Sequence, residues 1–302
     1  MGYNKNGLAD YVEQNVDAIL NEIVLGGKTI ARMTKQTGIK TKEKINYLSL
    51  DPIFQDGSEC GFTAQGDAVL TQREIATGAI KVNMEFCDRT LLGKYAEYLV
   101  RIAAGAEEMP FEKEIVDALV AKINLAMEKA VWQGDTASED DNLKHFDGLL
   151  KIAGAEASVV DVAIGASEGA YAAIKKVKNA VPEELLEQGA SIFVSPELFR
   201  EFMDDMVEKN YYHYAGASNA SPGEFVFPGS NCEVVKAVGL AGTKKIVATF
   251  DGNMYYGCDL ENARETVKVW FSDDDDKFKV KVLWNSGVQF AFPNLVVLGT
   301  IA

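Results

Sequence analysis

Two histidines, four cysteines and a run of aspartates are the residues whose types could carry chemistry in this chain. His145 stands two positions before Asp147, but two residues apart on one short element their side chains do not face each other. His145 is therefore expected to be structural or solvent-exposed rather than a base. His213 sits in Asn210-Tyr211-Tyr212-His213-Tyr214, ahead of a Gly/Ala/Ser/Asn loop. Aromatic surfaces of this kind bind sugars and nucleic acids, yet without a cluster of Lys or Arg the nucleic-acid version is weak. Tyr is enriched at interfaces, so Tyr211, Tyr212 and Tyr214 are expected to pack or to contact another subunit. Asp273-Asp274-Asp275-Asp276 offers the oxygen ligands that calcium wants, without the glycine-punctuated spacing and distal Glu of a calcium loop. It reads as a solvated turn, from which Asp274 and Lys277 are expected to form rim ion pairs with a neighbour worth about 0–1 kcal/mol each.

Cys60, Cys87, Cys232 and Cys258 are far apart and form no C-x-x-C pair. Neither zinc nor a disulfide framework is expected, and the thiols should be buried and inert. The sequence has no G-x-G-x-x-G, Walker-type loop, H-E-x-x-H or G-x-S-x-G. No catalytic, cofactor or metal site is expected. A soluble hydrolase with an unrecognised site around Ser195 and His213 remains a distant alternative.

The elements that would position these residues belong to an ordinary folded protein. The chain has 302 residues, 47% hydrophobic and 25% charged, with Lys and Arg totalling 30 against 45 Asp and Glu, a formal charge of -15. That balance repels phosphate backbones, so tight nucleic-acid binding is not expected. It suits either simple solubility or a wall facing packed DNA. No stretch approaches the roughly 20 apolar residues of a membrane helix, and the start lacks a signal-peptide layout. The expected product is made in the cytosol, with no membrane partner.

Apolar residues at Leu8, Tyr11, Val12, Val16, Ile19, Leu20 and Ile23 predict an amphipathic helix ending at Gly26-Gly27. Lys28 to Lys44 then reads as an extended arm with little core, so the helix is expected to pack away from its chain neighbours, on an adjoining subunit. Glu43–Phe54 and Arg73–Phe86 predict strands of one long hairpin around the glycine-rich segment Gln55 to Asp67. A two-stranded hairpin is marginal alone and needs support from another surface. Phe54, Glu59, Phe62, Gln65 and Arg73 are expected there as contact residues between subunits.

Pro110, Glu112 and Glu114 suit a helix start and Gly134 its stop, with apolar residues at Ile115, Leu119, Ile123, Met127 and Val131 between. The predicted helix runs about 35 Å. A helix over Glu168–Ala180, a strand over Ser191–Val194 and a helix through Val207 capped at Ser195 predict a mixed α/β lobe. The last third reads as strands over Cys232–Val238, Lys245–Phe250, Met254–Gly257, Thr266–Phe271, Phe278–Trp284 and Val288–Phe292. No internal repeat or low-complexity tract interrupts this order.

This order resembles the major capsid proteins of tailed phages with the Hong Kong 97-like fold. Ala130-Val131-Trp132-Gln133-Gly134-Asp135 followed by Leu143 to Leu149, Ser191 to Phe199, Val269-Trp270-Phe271 and Phe290-Ala291-Phe292-Pro293 are similar to segments of that family. The resemblance implies an α+β fold with an N-terminal arm (1–42), a hairpin called the E-loop (43–87), a peripheral domain (88–157 and 230–302) with its spine helix at about 111–133, and an axial domain (158–229). It implies a virion protein, made in the host bacterial cytoplasm, that assembles with itself as hexamers and pentamers around double-stranded DNA touched only weakly and non-specifically. Portal, scaffolding and decoration proteins are the implied partners, with no cofactor and no enzymatic activity. An encapsulin-type nanocompartment shell protein is the alternative. The short arm departs from relatives that carry a long scaffolding segment, so scaffolding is either a separate protein or unused. No Lys lies in the Gln55–Asp67 tip, so cross-linking through that tip is not expected.

Overall fold

In the computed structural model, residues 7–55, 65–103, 111–209, 224–227, 230–259 and 267–302 are described. Helix α4 (Phe111–Gln133) is the longest, 23 residues, and it ends where Gly134 follows. A Cβ on Gly134 would stand 2.5 Å from the Phe146 carbonyl oxygen and 2.6 Å from that of Ala130, so the chain turns tightly against itself there.

Helix α1 (Gly7–Leu25) lays Leu8, Val12, Val16, Ile19, Leu20 and Ile23 into a core shared with Val116, Val120, Ile123 and Met127 of α4. Val267 and Val280 of two later strands close this core from the other side. The expectation that the N-terminal helix finds its partner on an adjoining subunit is therefore corrected. Its partner is α4, about a hundred residues further along the same chain, a distance that local pattern cannot show.

The arm after it is also built in. Lys28–Ala31 forms the short helix α2, and β1 (Thr34–Thr37) pairs in parallel with β10 (Met254–Asp259). Ile30, Met33 and Ile39 are buried. The expected extended arm with little core is thus a fastened segment.

The predicted hairpin has a different return strand. β2 (Lys42–Pro52) pairs antiparallel with β3 (Gly66–Ala76), from Lys42 opposite Ala76 to Pro52 opposite Gly66. At Thr77 the chain leaves the ribbon, and β4 (Gly78–Cys87) pairs instead with β12 (Lys277–Phe290). Period-two alternation runs through both strands, so it marks neither the break nor the change of partner. Gly78 allows the break, because a Cβ there would lie 1.8 Å from the His145 carbonyl oxygen.

Two sheets make the body. The first joins β1, β10, β12 and β11 (Val267–Ser272), with β4 also on β12. In β12 Phe278, Val280 and Val282 face the core, while Lys277, Lys279 and Lys281 are half-exposed. The second has the order β5 (Val160–Ile164), β13 (Val297–Ile301), β9 (Lys245–Thr249), β6 (Ala190–Val194), β8 (Cys232–Lys236), β7 (Glu224–Val226). Helices α6 (Ala170–Ala180) and α8 (Pro196–Glu208) pack on it through Ala173, Ile174, Val177, Phe202 and Met206. The lobe read at Ala170–Val207 is therefore completed by three strands from beyond Gly229. Sheet membership follows hydrogen bonding rather than position along the chain.

Several elements were not anticipated, among them the short helices α5 (Leu149–Ala155) and α7 (Glu183–Gln188) and the strands β5 and β7. Helix α3 (Asp88–Ala103) follows β4 directly and stands largely in solvent, and β13 closes the gap between β5 and β9.

Candidate self-association surface

The residues considered for chemistry are used structurally. Ser195 is buried and its Oγ accepts the Leu198 amide at 3.2 Å, an N-cap on α8. Asp147 accepts from the amide and hydroxyl of Thr136 at 2.9 and 2.8 Å and pairs with Lys151 at 2.6 Å. Its partial burial favours the neutral acid, but these bonds outweigh that and hold its carboxyl below the usual range. Burial pushes the thiol of Cys232 up, and that of Cys258 up to about 11, which disfavours the reactive thiolate. Among the described residues no group of three His, Cys, Asp or Glu could hold a metal ion. His213, Tyr211, Tyr212, Tyr214, Glu59, Phe62 and Cys60 lie outside the described residues.

In the aspartate turn, Asp276 adopts φ 53° and Asp274 is exposed. Asp275 pairs with Lys279, whose hydrogen bond holds the carboxyl below its ordinary value. Lys277 pairs across the sheet with Glu85 at 2.6 Å. The turn is thus tied to its own strands, and Asp274 is one of its four exposed acids.

The ribbon is the element with least support. Its root is docked: Ile45 and Ile75 are buried with Ile39 and Ala291. The Thr77 amide donates to the Thr41 carbonyl at 2.8 Å, and Gln289 Nε2 donates to the Glu74 carbonyl at 2.9 Å. Arg73, mostly covered, pairs with Glu156 after α5 (Leu149–Ala155). Arg73 thus fastens the ribbon within its own chain. Beyond this root the ladder continues to Pro52 and Gly66, and the apolar side chains become exposed: Leu70 is 63% accessible, Ile53 55% and Phe54 99%. Gln65, at the start of the return, is exposed as well. A ribbon of two 11-residue strands thus leaves apolar groups in water that its own chain does not cover.

Sequence reasoning missed the complementary feature. Between α3, α4 and β4 lies an open hollow of about 610 Å³ lined by Met84, Phe86, Ile115, Ala118 and Leu119, with Lys94, Lys122, Glu97 and Glu114 at its margin. No local signal reveals it, because it depends on the angle at which α3 stands away from its two chain neighbours, β4 and α4. Arg32 also went unnoticed. From the end of α2 it bonds Glu224 at 2.6 Å, Glu233 at 3.1 Å and Asp251 at 3.2 Å, tying the N-terminal segment to the second sheet.

No family model matches the sequence, and no curated protein matches it. Solved structures do resemble it. The chain is similar to one described as satellite phage P4 procapsid including size determination (Sid) protein, with TM-score 0.64 and 12% identity over 94% of this chain and 90% of that one. It is similar to the capsid of an empty GTA particle, with TM-score 0.57 and 12% identity over 93% and 90%. It is also similar to a virus-like particle from Pyrococcus furiosus, with TM-score 0.55 and 10% identity over 96% and 99%. The chain has the α+β Hong Kong 97-like major capsid fold.

Proposed function

We propose that this chain is a major capsid protein that assembles with itself into the icosahedral head of a tailed phage, enclosing double-stranded DNA. The observation that carries the reading is the β2–β3 ribbon, docked at its root and apolar at its exposed end, on a fold shared with capsid structures. In this reading the five-stranded sheet with α4 is the peripheral domain. The six-stranded sheet with α6 and α8 is the axial domain, whose contacts close hexamers and pentamers. The ribbon is the E-loop and lies across the adjacent subunit. Many modest interfaces then sum to a symmetric shell. Phe54, Gln65 and Asp274, together with Glu59, Phe62, Tyr211, Tyr212 and Tyr214, are proposed contacts between subunits, and Arg73 and Lys277 hold the contact elements in place. The charge of -15 keeps contact with packaged DNA weak. Portal, scaffolding and decoration proteins are the further partners this role calls for.

Deleting Gln55–Asp67 tests the reading. Leu50 and Ala68 are ladder partners, so the shortened ribbon still closes over residues 51–54. The expected product has the circular dichroism and melting of the intact chain, yet forms no closed particles under the electron microscope. Normal shells from the deletion would count against the proposal.

The likeness to the Pyrococcus furiosus virus-like particle favours a second reading, an encapsulin-type compartment. Nuclease-protected DNA inside particles purified from the native host separates the two, being expected for the phage head and absent from a protein-loaded compartment.

A further inference from the structure

Two apolar surfaces stay uncovered in one copy, and we propose that they cover each other between copies: Ile53 and Phe54 of one ribbon seat in the α3–α4 hollow of the next. The proposal rests on the shell-building reading and adds the receiving site to it.

The hollow exists because the apolar stripe of α4 is wider than α1 can cover. α1 takes Val116, Val120 and Ile123, while Ile115 and Leu119 turn toward Phe86 at the edge of the sheet. Met84, on the inward-facing side of β4, is still 40% accessible. The third wall is α3, most of whose described side chains are exposed, with Leu99 and Val100 in water. A helix of 16 residues is marginal in water unless a partner covers it. An open apolar hollow beside a poorly covered helix is therefore a site awaiting an occupant.

The ribbon supplies one of the right chemistry. Phe54 at 99% exposure touches almost nothing of its own chain, so it does not fill its own hollow. Ile53 and Phe54 are adjacent at the end of β2 and present a compact apolar group, and a volume of about 610 Å³ accommodates both. Phe side chains are strong interface anchors, since one ring buries on the order of 150–250 Å². Apolar fit, not charge, selects this pairing. Residues 51–67 contain Asp51, Asp56, Glu59 and Asp67 with no Lys or Arg. At the margin of the hollow Lys94 and Lys122 stand with Glu97 and Glu114, Lys94 paired with Glu97 at 2.7 Å, so the rim is balanced in charge.

The test places a photoreactive benzoylphenylalanine at position 54 of the full chain, mixes copies labelled with light and heavy nitrogen, allows assembly, irradiates, and maps cross-links by mass spectrometry. The expected result is light–heavy links from position 54 to peptides carrying Met84–Phe86 or Ile115–Lys122. Ala118 is exposed on the hollow's wall, so Ala118→Trp should fill the hollow without disturbing the core. It should cut those links at least about tenfold and raise the protein concentration needed for assembly by about tenfold. Particles that form normally while position 54 links elsewhere on another copy, or only within its own, or to nothing, overturn the receiving site and leave the shell reading intact. Failure of the unmodified chain to form capsomers or particles would instead overturn the reading beneath it.

Discussion

The carboxylate of Glu128, buried in the middle of α4, accepts two hydrogen bonds from Thr29, one from the backbone amide and one from the hydroxyl, each at 2.6 Å. Trp132, one turn further on, donates its indole N–H to the same hydroxyl at 3.0 Å. A side chain of the spine helix thus holds the start of α2 and fixes where the N-terminal segment enters the body. Desolvation raises the Glu128 pKa, and the Thr29 hydrogen bonds pull against it without cancelling it.

A folded-state pKa above the unfolded value means that the stabilising contribution is complete below the unfolded pKa and is lost as pH rises through the folded one. Glu128→Gln keeps an acceptor for the Thr29 amide and has no charge to bury. Its melting temperature relative to the parent chain should therefore improve as pH rises through the window above the ordinary carboxyl pKa. Parallel melting curves across that window would show that the buried carboxyl is not linked to folding. Glu128→Leu, which orphans the Thr29 amide, should cost about 1–3 kcal/mol at acid pH and less as pH rises, because it too has no charge to bury.

Gly287 lies under the root of the ribbon, where an added Cβ would stand 2.1 Å from the Ala76 carbonyl oxygen and 3.0 Å from the Thr77 Cα. Backbone must move to make room. Gly287→Ala should cost about 1–3 kcal/mol, as overpacked sites do, and should speed amide exchange at Ile75 and Thr77 while leaving α6 and α8 protected. Uniform loss of protection across the chain would mean that the ribbon root is not a separate unit of stability.

How much of this was legible in sequence depended on whether the signal is local. α4 is found where Pro110, Glu112 and Gly134 mark its ends, and the Ser195 cap is found with its bond to Leu198. The alternating lysines of β12 are found on the outer side of the sheet, although the strand continues to Phe290 as one element where two were read. Whatever depends on a distant partner was not legible. The stripe of α1 announces that something covers it and not that α4 does. The change of partner at Thr77 leaves the alternation unbroken. In the candidate surface, the sequence marks Phe54 and Gln65 as contact candidates of the hairpin, and the structure leaves both exposed. The hollow could not be read in this way, since it takes α3, α4 and β4 together to make it.

Arg32 faces three carboxylates with side-chain exposures of 26 to 40%, and its own is 22%. Burial opposes its charge, yet the bonds from Glu233 and Glu224 hold the guanidinium pKa above its ordinary value. Arg32→Met leaves three acids close together without their cation. The expected cost is about 1–3 kcal/mol, between exposed and fully buried pairs. Because what remains is mutual repulsion, adding Glu233→Gln should recover part of that loss, and high salt should narrow the gap. A double variant no more stable than Arg32→Met alone would show that the arginine acts by packing.

Ser195 separates a shell subunit from a hydrolase with an unrecognised nucleophile. Its hydroxyl accepts the Leu198 amide at 3.2 Å at the start of α8, and the side chain is buried beneath the lobe's surface. A hydroxyl used as a helix cap orients its lone pair toward the amide, and the neighbouring Glu197 carboxylate, held below its ordinary pKa first by its own backbone amide and then by the Ser195 hydroxyl, is a poor base for activating a nucleophile. Ser195→Ala should therefore cost about 1 kcal/mol of stability, the usual loss for an N-cap, while Ser195→Asp, which can cap the same amide, should recover much of it where the lobe leaves room for the carboxylate. Particle formation should be unchanged in the alanine variant at temperatures well below its melting point. Hydrolysis of generic ester substrates by the parent chain that disappears in Ser195→Ala would reverse this assignment, because a cap has no reason to turn over substrate.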